Sequence, residues 1–264
     1  MIPVKISDAD DPRIAHYRNI RERDLVGRQS RFVAEGKVVL EHLLRSSHFQ
    51  TESLLLLERR LPLVADLIAS RPDVPVFVVS DQVMEEIAGF NVHRGILAIG
   101  RREQPLEPGK LAAGLPEHAT VVVCVGISNH DNIGSIFRNA AAFGAGAVLI
   151  DKTCCDPLYR KALRVSVGAV LKVPYAQFDD AVELAELLDS MNFRQFGLSP
   201  SGRQTIGEVA PGGRVALYVG AEGPGLPPSI LERITSVRIP IRQDFDSLNA
   251  AAATAIALHH FPVL

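Results

Sequence analysis

Apolar runs and amphipathic stretches of helical period alternate along almost the whole chain. The runs are rich in valine, isoleucine and leucine with little polar alternation, the mark of strands buried on both faces. In the first part, Phe32-Val33-Ala34, Ser53 to Leu57, Pro75 to Ser80 and Gly95 to Gly100 read as strands. Between them Gly36 to Arg45 places Val39, Leu40, Leu43 and Leu44 on one helical face. Leu61 to Ser70 reads as a second helix, and Asp81 as the cap of a third that runs to Ala88.

The second part repeats the alternation. Thr120 to Val125, Ala147 to Ile150, Ala169 to Val173, Phe196 to Ser199, Val215 to Val219 and Val237 to Ile241 read as strands. Helices are expected over Arg160 to Val167, Phe178 to Met191 and Pro227 to Ile234, with Lys152 to Asp156 a loop. The clearest helix follows the first of these strands. Its apolar residues Ile133, Ile136, Phe137, Ala140 and Ala141 recur at i, i+3, i+4, i+7 and i+8, with Asn132 placed to cap it and Ser135, Arg138 and Asn139 on the other face. The last, alanine-rich stretch reads as a slim helix capped by Ser247. Strands alternating with helices give a doubly wound α/β domain with a ligand at the carboxyl ends of its strands. The expected organisation is a small α/β domain over 1–105, a proline- and glycine-bearing linker over 106–118, and a second α/β domain over 119–264.

At 264 residues, 47% hydrophobic and 22% charged, the chain has the composition of a soluble globular protein. No apolar run is long enough to span a bilayer and the start has no signal-peptide core, which makes the expected location cytoplasmic. Cys124, Cys154 and Cys155 form neither a disulfide framework nor a CxxC pair, and no metal site is expected. His259-His260 falls in a helical pattern and reads as packing or surface. The net charge of -2 argues against a protein that coats nucleic acid nonspecifically, but not against a local basic patch. Arginine outnumbers lysine, which suits bidentate contacts to phosphate. Residues 12–31 carry Arg13, Arg18, Arg21, Arg23, Arg28 and Arg31 around Ile14, Tyr17, Ile20 and Leu25. They read either as a solvated amphipathic helix or as a phosphate-facing surface.

Candidate chemistry concentrates at Gly220-Ala221-Glu222-Gly223-Pro224-Gly225-Leu226, which follows a buried strand. Its glycines permit positive φ and close approach of a ligand to the backbone. Alone, such a loop is an ordinary strand-to-helix connection or a ligand loop. Arg138 stands near the start of its helix, where a cation gains nothing from the macrodipole. It is a surface arginine or a phosphate contact.

Three separated stretches together resemble the motifs of the SpoU–TrmH family of RNA ribose methyltransferases, in the SPOUT superfamily. They are Asn132-Ile133-Gly134-Ser135-Ile136-Phe137-Arg138, then Tyr218-Val219-Gly220-Ala221-Glu222-Gly223-Pro224-Gly225-Leu226, then Ile239-Pro240-Ile241 with Ser247-Leu248-Asn249. Arg164, Ser166 and Gly168 match a weaker signature between them. Phe32-Val33-Ala34-Glu35-Gly36 and His93-Arg94-Gly95-Ile96 resemble the two ends of the family's substrate domain, which is similar to ribosomal protein L30.

The resemblance implies a SPOUT-type α/β fold with a C-terminal trefoil knot, which pattern reasoning alone would have excluded. It implies S-adenosylmethionine bound in the knot, with Gly220, Ala221, Ile239, Ile241 and Leu248 around the adenine and ribose. It implies methyl transfer to a ribose 2′-hydroxyl of structured RNA, rRNA favoured over tRNA, by a homodimer joined through knot helices. The catalytic set it implies is Arg138, Asn132, Glu222, Ser247 and Asn249. Because arginine stays protonated, Arg138 is expected to bind the neighbouring phosphate and orient the 2′-oxygen. The chain departs from the family pattern at Gln243, where glycine is usual, and at Ala250-Ala251, where Val-Ser is frequent. Bulky Phe245 stands before Asp246 and Ser247. The competing reading is a non-catalytic RNA-binding or ribosome-assembly protein that retains the fold. A nucleotide-dependent oxidoreductase would need a GxGxxG fingerprint, which is missing.

Overall fold

The computed structural model describes residues 3–18, 22–88, 95–242 and 244–261, with the backbone alone at 22–24 and 28. The chain divides into two compact units. The first comprises residues 1–104 with 158–171, the second 105–157 with 172–264.

The first unit runs β1 (Val4–Lys5), α1 (Glu22–Gln29), β2 (Arg31–Glu35), α2 (Lys37–Arg45), β3 (Phe49–Leu57), α3 (Ala65–Ala69), β4 (Val76–Val79), α4 (Asp81–Ala88) and β5 (Ile96–Arg102). Its five-stranded sheet has the order β1-β4-β3-β5-β2. β1, β4 and β3 are mutually parallel, while β5 lies antiparallel to both β3 and β2. The apolar face predicted for α2 is fully buried, as are Ile14, Tyr17 and Leu25. The arginine-rich stretch is not one helix: Pro12–Tyr17 forms a 3-10 turn before α1. Ile20, Arg21, His93 and Arg94, and the side chains of Arg23 and Arg28, lie outside the described residues. The predicted helix over 61–70 is instead the end of a 3-10 segment, Glu58–Val64 with Pro62 inside it, followed by the short α3. Ser80, not Asp81, stands before α4, and its Oγ accepts from Val83 N (3.3 Å).

In the second part of the sequence come α5 (Pro108–Ala113), β6 (Ala119–Val125), α6 (His130–Ala142), β7 (Ala147–Asp151), α7 (Arg160–Val165), β8 (Tyr175–Phe178), α8 (Ala181–Ser190), β9 (Arg194–Leu198), β10 (Gln204–Thr205), β11 (Arg214–Gly220), α9 (Pro228–Leu231), β12 (Thr235–Arg238) and α10 (Ala250–His260). The seven strands form one sheet in the order β10-β12-β9-β11-β6-β7-β8, parallel throughout. The order reverses between β6 and β11, which are neighbours far apart in sequence. That is where an α/β sheet opens a crevice at its carboxyl edge. Among the described residues no helix is long and apolar enough to cross a membrane.

Two expectations fail here. The stretch expected as a linker contains α5, and Leu106 bridges Ala176 at the end of the sheet. Ala169 to Val173 is not a strand. Gly168 takes a left-handed φ of 80°, Ala169–Leu171 coils into a 3-10 turn, and the strand begins only after Pro174, at β8. A β-branched run bounded by glycine and proline was legible, but burial alone did not say whether it was extended. Together with α7, the 3-10 turn Ala169–Leu171 belongs to the first unit.

Arg214 anchors β11 to the surrounding helices. Its guanidinium donates to the carbonyls of Ala112, Leu115, Pro116 and Met191, and stacks over the Phe193 ring. The Ala112 carbonyl belongs to the last turn of α5 and also accepts from Leu115 N (3.2 Å), those of Leu115 and Pro116 follow α5, and that of Met191 ends α8. Arg214→Met keeps the stem but removes a donor from all four oxygens. It should lower unfolding free energy by about 2–3 kcal/mol in urea titration. A loss under about 0.5 kcal/mol would show that water satisfies the carbonyls instead.

Candidate functional site

A cavity of about 370 Å³ opens at the carboxyl ends of β9, β11 and β12. Val219, Val237, Ile239, Ile241, Leu198 and Leu248 make aliphatic walls, and the Gly220–Gly225 loop forms one side. The three glycines of that loop do two different jobs. Gly223 and Gly225 take φ of 87° and 70°, where a side chain is strained. Gly220 is required by proximity: a Cβ there would stand 2.2 Å from the Gly225 carbonyl carbon and 2.3 Å from the Leu226 nitrogen. The loop doubles back on its own strand, and Gly225 N donates to the Ala221 carbonyl at 3.0 Å. A second close approach lies nearby, where a Cβ at Gly202 would meet the Val237 carbonyl carbon at 2.3 Å.

A polar cluster joins the loop to two helices. Glu222 Oε1 accepts from Asn132 Nδ2 (2.5 Å) and from Asn249 Nδ2 (3.1 Å). Asn249 Nδ2 also donates to Asn132 Oδ1 (2.9 Å), and its own Oδ1 accepts from Ala251 N and Ala252 N. Asn249 thus caps α10 while clamping the glutamate. It takes the capping role expected of Ser247, which lines the cavity instead. Asn132 is likewise not a cap. Asn129 caps α6, and Asn132 sits inside the helix, 4% exposed, facing Glu222. Here a side chain expected to serve the helix end is spent on a tertiary contact, which spacing alone does not reveal.

Of the residues singled out from sequence, Gly220, Ala221, Glu222, Ile239, Ile241, Ser247, Leu248 and Asn249 all line the cavity. Asn132 reaches it through Glu222. Arg138 does not line it. It is exposed on α6, without a hydrogen-bond or ion-pair partner among the described residues. It lies six residues beyond Asn132 and on another face of the helix, about 9 Å further along the axis at 1.5 Å per residue. The neighbouring Asn139 donates to the Ala251 carbonyl (2.8 Å) and fixes α6 against α10. Gln243 lies outside the described residues.

Sequence reasoning missed the residues that shape the loop before α6. Asp151, the last residue of β7, accepts from Gly126 N (3.0 Å) and Cys154 N (2.8 Å). The Cys154 sulfur accepts from Ile127 N (3.2 Å), and its thiol donates to the Cys124 carbonyl (3.5 Å). An acid at the carboxyl end of a parallel strand was the available signal. Burial, then the charge of Asp151, pushes the Cys154 thiol far above the ordinary range. Burial, then the charge of Asp156, raises Cys155 to about 11. Both thiols are protonated rather than nucleophilic at neutral pH.

Two outcomes follow from this geometry. A thiol whose pKa is raised on folding binds its proton more tightly in the native state. Its contribution is complete below the unfolded value of about 8.5 and declines as pH rises through the folded value. Thermal stability should therefore fall between pH 8.5 and 11, and Cys154→Ser should flatten that fall; an unchanged slope would contradict the assignment. Asn249→Ala removes both a cap and a carboxylate clamp. It should cost about 1–2 kcal/mol in urea unfolding, where a cost within 0.3 kcal/mol would deny Asn249 its double role.

A sequence model of the SpoU rRNA methylase family matches residues 119–259, from β6 through nearly all of α10. An uncharacterized tRNA/rRNA methyltransferase of Mycobacterium bovis is 40% identical over 266 positions, covering 96% of this chain and 90% of that protein. The 23S rRNA (guanosine-2′-O-)-methyltransferase RlmB of Escherichia coli K12 is 29% identical over 205 positions, covering 76% of this chain and 83% of that protein. Among solved structures, the AdoMet-bound rRNA methyltransferase of Sinorhizobium meliloti superposes with a TM-score of 0.80 at 22% identity, covering 97% of this chain and 96% of that one.

Proposed function

The chain belongs to the SpoU rRNA methylase family, and from that premise we propose that it transfers a methyl group from S-adenosylmethionine to a ribose 2′-hydroxyl of structured RNA. The observation that carries this reading is the cavity at the ends of β9, β11 and β12, with the Asn132–Glu222–Asn249 cluster beside it. Its volume of about 370 Å³ is within the range of small-molecule sites. The residues fit the cofactor: Gly220 leaves backbone uncovered, and Ile239, Ile241 and Leu248 offer aliphatic walls to a flat base. When bound, S-adenosylmethionine supplies a methyl group already activated on a sulfonium.

The protein's part is alignment. Glu222, pinned by two amides, braces the glycine loop and holds one wall in place. Ser247, with no protein partner for its hydroxyl among the described residues, is available to the ribose. Arg138 stays protonated throughout and serves by binding the phosphate beside the target ribose and orienting the 2′-oxygen. Because it stands outside its own chain's cavity, we assign it to the cavity of a second copy, in a homodimer joined through α6 and α10. The exposed Ala252 and Ile256 of α10 give that face a slim apolar surface. The threading of the segment after β12 into a trefoil knot is part of the same reading. So is an RNA-holding role for the first unit as an L30-like domain. The RlmB likeness favours rRNA over tRNA, in the cytoplasm.

Tritiated methyl transfer to rRNA from cells lacking the protein tests the proposal. Arg138→Ala should lower the rate at least 100-fold while calorimetric S-adenosylmethionine affinity stays within twofold. Full activity in that variant would remove Arg138 from the mechanism. Cofactor binding with no transfer to any RNA would favour the non-catalytic RNA-binding alternative.

A further inference from the structure

Ile241 and Ser247 both line the cavity, and the chain leaves the wall between them. Arg242, Asp244, Phe245 and Asp246 are exposed, and none of them lines it. Both ends of this short loop belong to the wall, so Phe245 stands two residues before the lining residue Ser247. It is 68% exposed, the barest large hydrophobic side chain among the described residues.

The turn that presents it is held. Phe245 N donates to the Arg242 carbonyl (3.2 Å), and the Arg242 guanidinium grips both oxygens of Asp244 (3.0 and 3.2 Å). That pair neutralises itself, and Asp246 leaves the tip with negative charge. The tip therefore offers nothing to a phosphate, and what it does offer is an uncovered aromatic face. Leu248, partly exposed, continues the apolar surface into the cavity.

We infer that Phe245 is a stacking platform for a nucleobase of the RNA, either the target base or its neighbour, and positions the strand at the cavity rim. The inference rests on the methyl-transfer reading given above. Every base has a π-face, so the platform sets affinity and placement rather than sequence. A neutral aromatic ring close to the cavity in sequence suits a base, whereas the slim apolar face of α10 suits a second copy of the chain.

The test uses the full chain and rRNA from cells lacking the protein. Phe245→Ala and Phe245→Leu should raise KM for RNA about 5- to 150-fold. Calorimetric affinity for S-adenosylmethionine and the sedimentation coefficient should not move, and Phe245→Trp should recover most of the loss. Three results would overturn the platform: Phe245→Leu behaving as wild type, an equal loss of cofactor affinity, or dissociation to a smaller species, which marks a contact between copies. If the wild-type protein transfers no methyl group, the reaction assigned above fails, and the platform is judged by filter binding of the same rRNA. There, Phe245→Leu should bind more weakly than Phe245→Trp, and equal binding would overturn it.

Discussion

At Gly220 two stretches of backbone lie so close that no side chain fits between them. The rest of the site depends on that approach. It folds the loop back onto β11, which fixes Glu222 where Asn132 and Asn249 can reach it together. It also leaves peptide groups uncovered along one side of the cavity. The second close approach brings Gly202 against Val237, a residue of β12 that pairs with β9 and lines the cavity. Glycine is needed at both places for lack of room, not for flexibility.

The polar cluster is small but touches three elements. One amide, Asn249, starts α10, contacts α6 through Asn132 and holds the loop after β11 through Glu222. Asn139 adds a second tie between α6 and α10. On the other flank, Asp151 and Cys154 hold the loop that leads into α6. The site is thus a set of loops at the carboxyl edge of a parallel sheet, held by a few polar side chains: Asn132, Glu222 and Asn249 on one flank, Asp151 and Cys154 on the other. Such a frame suits a reaction whose reactive group arrives on the cofactor, where alignment is the protein's main contribution.

Much of this was legible in the sequence, for reasons particular to each element. The run from Ile133 to Ala140 is so regularly spaced that only its first turn was misplaced, by the competing asparagine at position 129. The glycine loop announced itself by composition, and the aliphatic residues after β12 by their place in a resembled motif. The segment after Gly168 was misread because an apolar run packs equally well as a 3-10 turn or a strand, and only tertiary context decides. Asp151 and Cys154 escaped notice because their importance lies in hydrogen bonds to backbone two loops away. Arg138 stood out in the sequence, yet its exposure away from the cavity emerged only in three dimensions.

The most direct test is mass-spectrometric mapping of ribose methylation in rRNA and tRNA from cells with and without this protein. The account predicts that one 2′-O-methylated nucleotide, in rRNA, disappears with the protein and returns with its gene. An unchanged methylation map, from cells in which the protein is demonstrably made, would contradict it.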